Sequence, residues 1–250
     1  MFDDLGGKSA LITGASSEGF GAHFARVLAR HGTAVTVAAR RLAPLEALVE
    51  EIRKEGGCAQ ALAFDVTDVA SVRKAVSSIG PPDILINNAG ISRTGPALDQ
   101  TEAEYDSVLD TNLKGAWFVA AEVARAMRGR DKGGSIVNIA SILGLRQMKG
   151  AASYAVAKAG VIQMTHQLGL EFARFRIRVN AIAPGFFASD INRDFLATDA
   201  GKAMMQRVAM RRFGEYRDLE GALLLLASDA SAFMTGSVIV VDGGHCLSSL

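Results

Sequence analysis

Tyr154 and Lys158 stand four residues apart in Ser153-Tyr154-Ala155-Val156-Ala157-Lys158-Ala159-Gly160. On a helix, residues i and i+4 share one face, one above the other. An ammonium beside a phenol favours the phenolate and draws the tyrosine pKa down from its reference of ~10. That would suit Tyr154 to general acid/base work near neutral pH. Ser141, thirteen residues upstream, follows the apolar run Ser135-Ile136-Val137-Asn138-Ile139-Ala140, which reads as a buried strand. A strand end and the helix after it can present hydroxyl, phenol and ammonium to one small space. The Tyr-x-x-x-Lys spacing alone is weak, because an ordinary tyrosine and a solvated lysine give the same pattern.

The elements needed to position these groups are legible along the chain. Short apolar runs at Ser9 to Thr13, Ala34 to Ala39, Ala59 to Phe64, Ile84 to Asn87, Ser135 to Ala140, Ile177 to Ile182 and Ser237 to Val241 are predicted strands. Between them lie helix-period stretches at Ala22 to His31, Leu42 to Glu55, Val69 to Ile79, Glu102 to Met127, Ser153 to Phe175 and Leu219 to Ala227. Gly56-Gly57, Gly80-Pro81-Pro82 and Gly133-Gly134 punctuate the returns from helix to strand. This alternation predicts an α/β fold: a doubly wound, Rossmann-like parallel sheet of seven strands with helices on both faces, in one domain over residues 1–250. Ligands of such sheets bind outside the carboxyl ends of the strands, where the informative residues gather.

Composition bounds the function. Lys+Arg of 27 against Asp+Glu of 26 leaves no basic footprint for nucleic acid. No apolar run reaches the ~18 residues of a membrane span. Cys58 and Cys246 are too few and too far apart for a disulfide frame or a thiolate metal site, and His23, His31, His166 and His245 have no metal-ligating spacing. The acidic start Met1-Phe2-Asp3-Asp4 is unlike a signal peptide, and a reducing, cytoplasmic setting is expected.

The first strand runs into Thr13-Gly14-Ala15-Ser16-Ser17-Glu18-Gly19-Phe20-Gly21 and then a helix. Glycines there allow a tight turn and close approach of the backbone to a pyrophosphate, which the helix N-terminus favours. Together with Asn87-Asn88-Ala89-Gly90, Asn112, Ser141 and Tyr154/Lys158, in that order, this loop resembles the single-domain short-chain dehydrogenases/reductases from Lys8 to Gly244. The chain departs from the family's Thr-Gly-x-x-x-Gly-x-Gly by one extra residue before Gly19, and Glu18 precedes that glycine. A carboxylate at this place either opposes a bound phosphate or points to solvent.

The resemblance implies a nicotinamide cofactor held by Gly14, Ser16, Ser17, Gly19, Gly21, Asp65, Val66, Asn88, Ala89, Gly90, Tyr154, Lys158, Pro184, Gly185, Phe187 and Ser189. The second strand ends Ala39-Arg40-Arg41 where NAD-binding sheets commonly carry an acid for the ribose 2′-OH. Arginines fork onto phosphate, so Arg40 and Arg41 favour NADP(H), with NAD(H) possible. Beside that cofactor, the expected reaction is hydride transfer at a carbonyl or secondary alcohol carbon. Tyr154 would handle the proton and Ser141 would orient the oxygen. By resemblance, Lys158 would bond the nicotinamide ribose and Asn112 would support a water-mediated proton path from the lysine. Relatives often carry an aliphatic residue at Phe187, and Ser189 stands for a threonine that holds the carboxamide.

Substrate loops are expected at Ile91 to Leu98, Ile142 to Met148 and Phe186 to Phe213. Leu143, Leu145, Met148, Phe186 and Phe187 suggest a partly apolar pocket, whereas Arg93, Arg146, Gln147 and Lys149 could grip a carboxylate. The resemblance also implies a homotetramer or homodimer. Two alternatives stay open: an NAD-dependent dehydrogenase of a sugar or polyol, and a non-catalytic nucleotide-binding scaffold, which only the altered glycine loop supports.

Overall fold

Leu11, Ile12, Val37, Ala38, Leu85 and Ile86 are almost fully buried although neighbours along each strand point to opposite faces. Both faces of their sheet must therefore be covered, which is the condition for a parallel sheet. The computed structural model describes residues 2–130, 132–188 and 198–247. Its strands are β1 (Ser9–Thr13), β2 (Ala34–Ala39), β3 (Ala59–Ala63), β4 (Ile84–Asn87), β5 (Gly134–Ile139), β6 (Ile177–Pro184) and β7 (Val238–Val241). They form one seven-stranded, all-parallel sheet in the order β3-β2-β1-β4-β5-β6-β7. The expected doubly wound α/β architecture is observed.

Ile12, Val37, Ile86 and Val137 face α1 (Phe20–Arg30), α2 (Leu42–Lys54) and the late helix Glu220–Ala227. Leu11, Leu85, Ile136 and Val179 face α3 (Val69–Ile79), α5 (Ala116–Arg128) and α6 (Ala152–Phe172). The strand order reverses between β1 and β4, which opens a crevice at their carboxyl ends.

Three details differ from the sequence expectation. The predicted helix Glu102 to Met127 is two helices, α4 (Glu102–Leu109) and α5, joined by a π-helical turn, Asp110–Gly115. A capping box between Thr101 and Glu104 starts α4. Within the predicted loop Phe186 to Phe213 lies a further short helix, α7 (Asp199–Met205), which makes the late helix α8. Strand and helix ends shift by a residue or two elsewhere, β6 running on to Pro184.

The sheet centre carries buried polar groups that pair with one another. Asn87 Nδ2 donates to the Ala116 carbonyl at 2.8 Å and to Asn138 Oδ1 at 3.1 Å, and Asn138 Nδ2 donates to Thr165 Oγ1 at 3.0 Å. This chain of amides ties β4 to β5 and both to α5 and α6.

Candidate active site

At the end of β1, Gly14 has φ of 72°, and a Cβ on it would lie 2.8 Å from Ala89 Cα. A Cβ on Gly21 would lie 2.5 Å from the Gly14 carbonyl oxygen. Hydrogen alone fits at both places, so the loop, the start of α1 and the end of β4 lie in mutual contact. Thr13 Oγ1 accepts from the N–H groups of Asn88 and Ala89, each at 3.0 Å. Asn88 Nδ2 returns bonds to the carbonyls of Thr13 at 3.0 Å and Gly14 at 3.2 Å. The Asn88 amide thus fastens β4 to β1 and leaves Gly90 backed by Asn112.

Gly19 differs from these two. A Cβ there would meet nothing nearer than Ser17 Oγ at 3.9 Å, and α1 begins without a side-chain cap. Open space in front of uncapped N–H groups suits an anionic group, so the loop fits the diphosphate of a dinucleotide. Arg40 and Arg41 are exposed at the end of β2, and Arg41 donates to the Ser16 carbonyl at 3.2 Å, bracing the loop. Glu18 does not hang free: it pairs with Arg26. Asp65 Oδ1 accepts from Thr67 N and Oγ1, both at 2.9 Å, which shapes the turn after β3, while Val66 packs against Gly115.

Beyond β5, Ser141 caps a short 3-10 turn, Ile142–Gly144, by accepting from Leu143 N at 3.1 Å. Its side chain also hydrogen-bonds the Tyr154 phenol. Gly144 makes the approach possible, since a Cβ there would sit 2.7 Å from the Lys158 carbonyl carbon. Lys158, one turn beyond Tyr154 on α6, is buried, donates to the Ile139 carbonyl at 2.7 Å and lies 5.6 Å from the centre of the Tyr154 ring. The structure therefore brings Ser141, Tyr154 and Lys158 together.

The electrostatics correct one expectation. Burial raises the Tyr154 pKa above its ordinary value and the bond to Ser141 only opposes that rise; Lys158 does not draw it down. Burial lowers Lys158 to about 8. Both groups are pushed towards their neutral forms because both are shielded from water.

Asn112 lies in the π-helical turn, buried, with Oδ1 accepting from Ile91 N and Nδ2 donating to Ile91 O, both at 2.8 Å. Its amide pins the loop after β4. Gly185 N donates to the Val241 carbonyl at 2.9 Å, so Pro184-Gly185 lies against the end of β7. Phe187 is buried, edge-on to Phe20 with ring centres 5.3 Å apart, and bridges to Gly214, where a Cβ would come within 2.5 Å of its ring. The bulk of Phe187 is accommodated because Gly214 has no side chain. Ser189 lies outside the described residues.

Of the candidate substrate groups, Leu145 is exposed beside the 3-10 turn. Arg146 instead donates to the carbonyls of His245 at 3.2 Å and Cys246 at 2.9 Å, and the His245 ring packs on Phe186 at 5.2 Å. The residues after β7 thus border two of the expected substrate loops. Sequence reading missed this contact, as it missed Thr13, Asn138 and Gly144. Among the described residues no cluster of His, Cys, Asp and Glu could hold a metal, and no helix is long and apolar enough to cross a membrane.

Comparison with known proteins agrees with this geometry. Residues 14–246 match the family described as enoyl-(acyl carrier protein) reductase. A 3-oxoacyl-(acyl-carrier-protein) reductase of Staphylococcus aureus is 39% identical over 242 residues, covering 95% of this chain and 97% of that protein. Gluconate 5-dehydrogenase of Gluconobacter oxydans is 36% identical over 249 residues, covering 98% and 96%. The crystal structure of a gluconate 5-dehydrogenase from Burkholderia cenocepacia in complex with NADP and tartrate superposes with a TM-score of 0.94 at 34% identity, covering 99% of each chain. With oxidoreductases matching it from end to end and its glycine loop, amide-fastened strands and Ser-Tyr-Lys cluster in one crevice, the chain belongs to the short-chain dehydrogenases/reductases.

Proposed function

We propose that the protein is an NADP(H)-dependent carbonyl reductase, working reversibly as an alcohol dehydrogenase, with Tyr154 as its general acid/base. The observation that carries the reading is the Ser141–Tyr154 hydrogen bond, with the Lys158 ammonium one helical turn away. Two hydroxyls converging on one point can hold a substrate oxygen between them. A bound nicotinamide supplies the hydride exchange at its C4. In reduction Tyr154 donates its proton to the carbonyl oxygen while Ser141 holds that oxygen; in oxidation Tyr154 accepts the alcohol proton. Burial keeps Tyr154 protonated near neutrality, which is the form that reduction requires.

Lys158 stands where its ammonium can return a proton towards the phenol and bond the nicotinamide ribose. Asn112 holds the Ile91 loop beside that path. Gly14, Ser16, Ser17, Gly19 and Gly21 would take the diphosphate, Arg40 and Arg41 the 2′-phosphate, and Asp65 and Val66 the adenine. Asn88, Ala89, Gly90, Pro184, Gly185, Phe187 and Ser189 would line the nicotinamide side. The NADP-bound gluconate 5-dehydrogenase neighbour supports the cofactor choice.

Fluorescence titration with NADPH and, separately, NADH tests the cofactor, and ketone reduction tests the chemistry. Tyr154→Phe should remove turnover, by about a hundredfold or more, with cofactor binding little changed. Near-wild-type turnover in that variant would sink the general-acid role, and binding of neither cofactor would favour the non-catalytic scaffold. The likeness to gluconate 5-dehydrogenases supports a second reading, in which the substrate is a sugar acid. Comparing gluconate oxidation with reduction of 3-oxoacyl thioesters separates the two.

A homo-oligomer completes the proposal. An apolar groove of about 600 Å³ between the α4–α5 arm and α6, lined by Leu113, Trp117, Phe118 and Met164, is open to a second copy. Light scattering on the purified protein gives the assembly size, and a monomer at micromolar concentration would refute it.

A further inference from the structure

The lengthened glycine loop carries an acid, Glu18, yet it reads as a phosphate cradle. Arg26, on α1, resolves that conflict. Its guanidinium presents two forks. Nη1 and Nη2 donate to Glu18 Oε2 and Oε1 at 3.0 and 2.8 Å. Nε and Nη2 donate to Glu51 Oε1 and Oε2, on α2, at 2.7 and 2.8 Å. Arg26 is the better buried partner, its side chain 20% exposed against 68% for Glu18. It lies six residues, or about 9 Å, along the helix from Phe20. Glu18 is therefore drawn back along α1, away from the uncapped N–H groups at the start of that helix.

We infer that Arg26 is a specificity-determining positioning residue, which by clamping Glu18 keeps the loop's carboxylate off the cofactor phosphates and lets the loop accept NADP(H). The inference rests on the cofactor reading above. Glu51 has a defined part in it: it engages the second edge of the guanidinium, so Arg26 is held on the flank. Both carboxylates raise the Arg26 pKa, and Arg26 lowers that of Glu51. Exposed ion pairs of this kind add little to stability, so the clamp matters chiefly for where it puts the Glu18 charge. Freed, that charge would face a diphosphate and, in NADP(H), a further phosphate dianion; NAD(H) would meet less repulsion.

The test is fluorescence titration of apo wild-type, Arg26→Met, Glu18→Gln and the double variant with NADPH and NADH. Methionine keeps an apolar stem on α1. Arg26→Met should weaken NADPH about tenfold, or ~1.4 kcal/mol by the usual conversion, and NADH less than about threefold. The double variant should return NADPH to within about threefold of wild type, because no acid is left to repel it. The Arg26→Met defect should also shrink near ~1 M salt, where the screening length falls to ~3 Å. Equal loss for both cofactors, or no recovery in the double variant, would show a merely structural role and overturn the inference. So would unchanged NADPH binding in Arg26→Met. If Arg26→Met does not fold, Glu18→Gln alone decides: a tenfold gain in NADPH affinity would mean the clamp never shielded the charge, and a change under about threefold supports it. Wild-type protein that binds NADH but not NADPH would overturn the cofactor reading itself, and the inference with it.

Discussion

The Lys158 ammonium donates a 2.7 Å hydrogen bond to the main-chain oxygen of Ile139, the last residue of β5. The charge at the centre of the site is thus tied to the sheet and has no acidic partner among the groups that shift it. Its pKa falls from 10.5 to about 8 through burial alone.

A lysine whose folded pKa lies below its unfolded one destabilises the fold at low pH and ceases to do so at high pH. The destabilisation is fully present below about 8 and is relieved as the pH rises from about 8 to 10.5. At ~1.4 kcal/mol per pH unit the shift corresponds to ~3 kcal/mol, offset by ~1 kcal/mol for the bond to Ile139. Lys158→Met is expected to gain ~1–2 kcal/mol at pH 7 in urea unfolding while losing turnover. The gain should vanish towards pH ~10.5. Unfolding midpoints equal to wild type at every pH would contradict a buried, charge-lowered lysine.

The same two groups set the expected pH profile. Tyr154 is raised and Lys158 lies at about 8. The rate constant kcat/KM for ketone reduction should be level below about 8 and fall above it, as the ammonium that resupplies the phenol is lost. A rate that climbs through pH 8 to 10 would contradict Tyr154 as the proton donor and Lys158 as its resupply.

Gly144 offers a substitution of one methyl group. A Cβ there would lie 2.7 to 2.9 Å from the backbone of Lys158 and Ala159. Main chain cannot yield as a flexible side chain can, so the 3-10 turn must lift off α6 and carry Ser141 from Tyr154. Gly144→Ala should lower kcat at least tenfold and stability by ~1–3 kcal/mol, with NADPH affinity nearly unchanged. Crystallography of the variant would show whether the Ser141–Tyr154 bond is broken.

Asn138 tests the amide chain under the site. It accepts from Asn87 and donates to Thr165, and all three are buried. Asn138→Ala takes one hydrogen bond from Asn87 and one from Thr165, which keep only their bonds to Ala116 and Val161, and a loss of ~2–4 kcal/mol in denaturant unfolding is expected. Asn138→Asp at neutral pH should be at least as damaging, since it buries a charge.

Much of this architecture is written in the chain. Strands buried on both faces read as unbroken apolar runs, and five of the seven begin where those runs begin. The i, i+4 pair and the glycine loop were legible because local geometry alone places them. What escaped depends on distance in the sequence. Arg146 was a candidate for gripping substrate, but its partners are His245 and Cys246, about a hundred residues away. The closeness of Tyr154 and Lys158 was readable, whereas the burial that reverses the expected shift on Tyr154 belongs to the assembled fold. Glu18 was ambiguous because nothing local announces Arg26 as its partner.

The π-helical turn Asp110–Gly115 has a consequence for how this protein can change. One residue advances an α-helix by ~100°, and the wide turn absorbs about that much, so it takes up an extra residue without changing the face α5 presents to the sheet. Many substitutions within it would leave that face alone. Removing a single residue would restore a regular helix and leave Val119 and Val123 in the core, but it would take away the wide turn from which Asn112 holds Ile91. The extra residue serves the site through Asn112, and the packing of α5 does not depend on it.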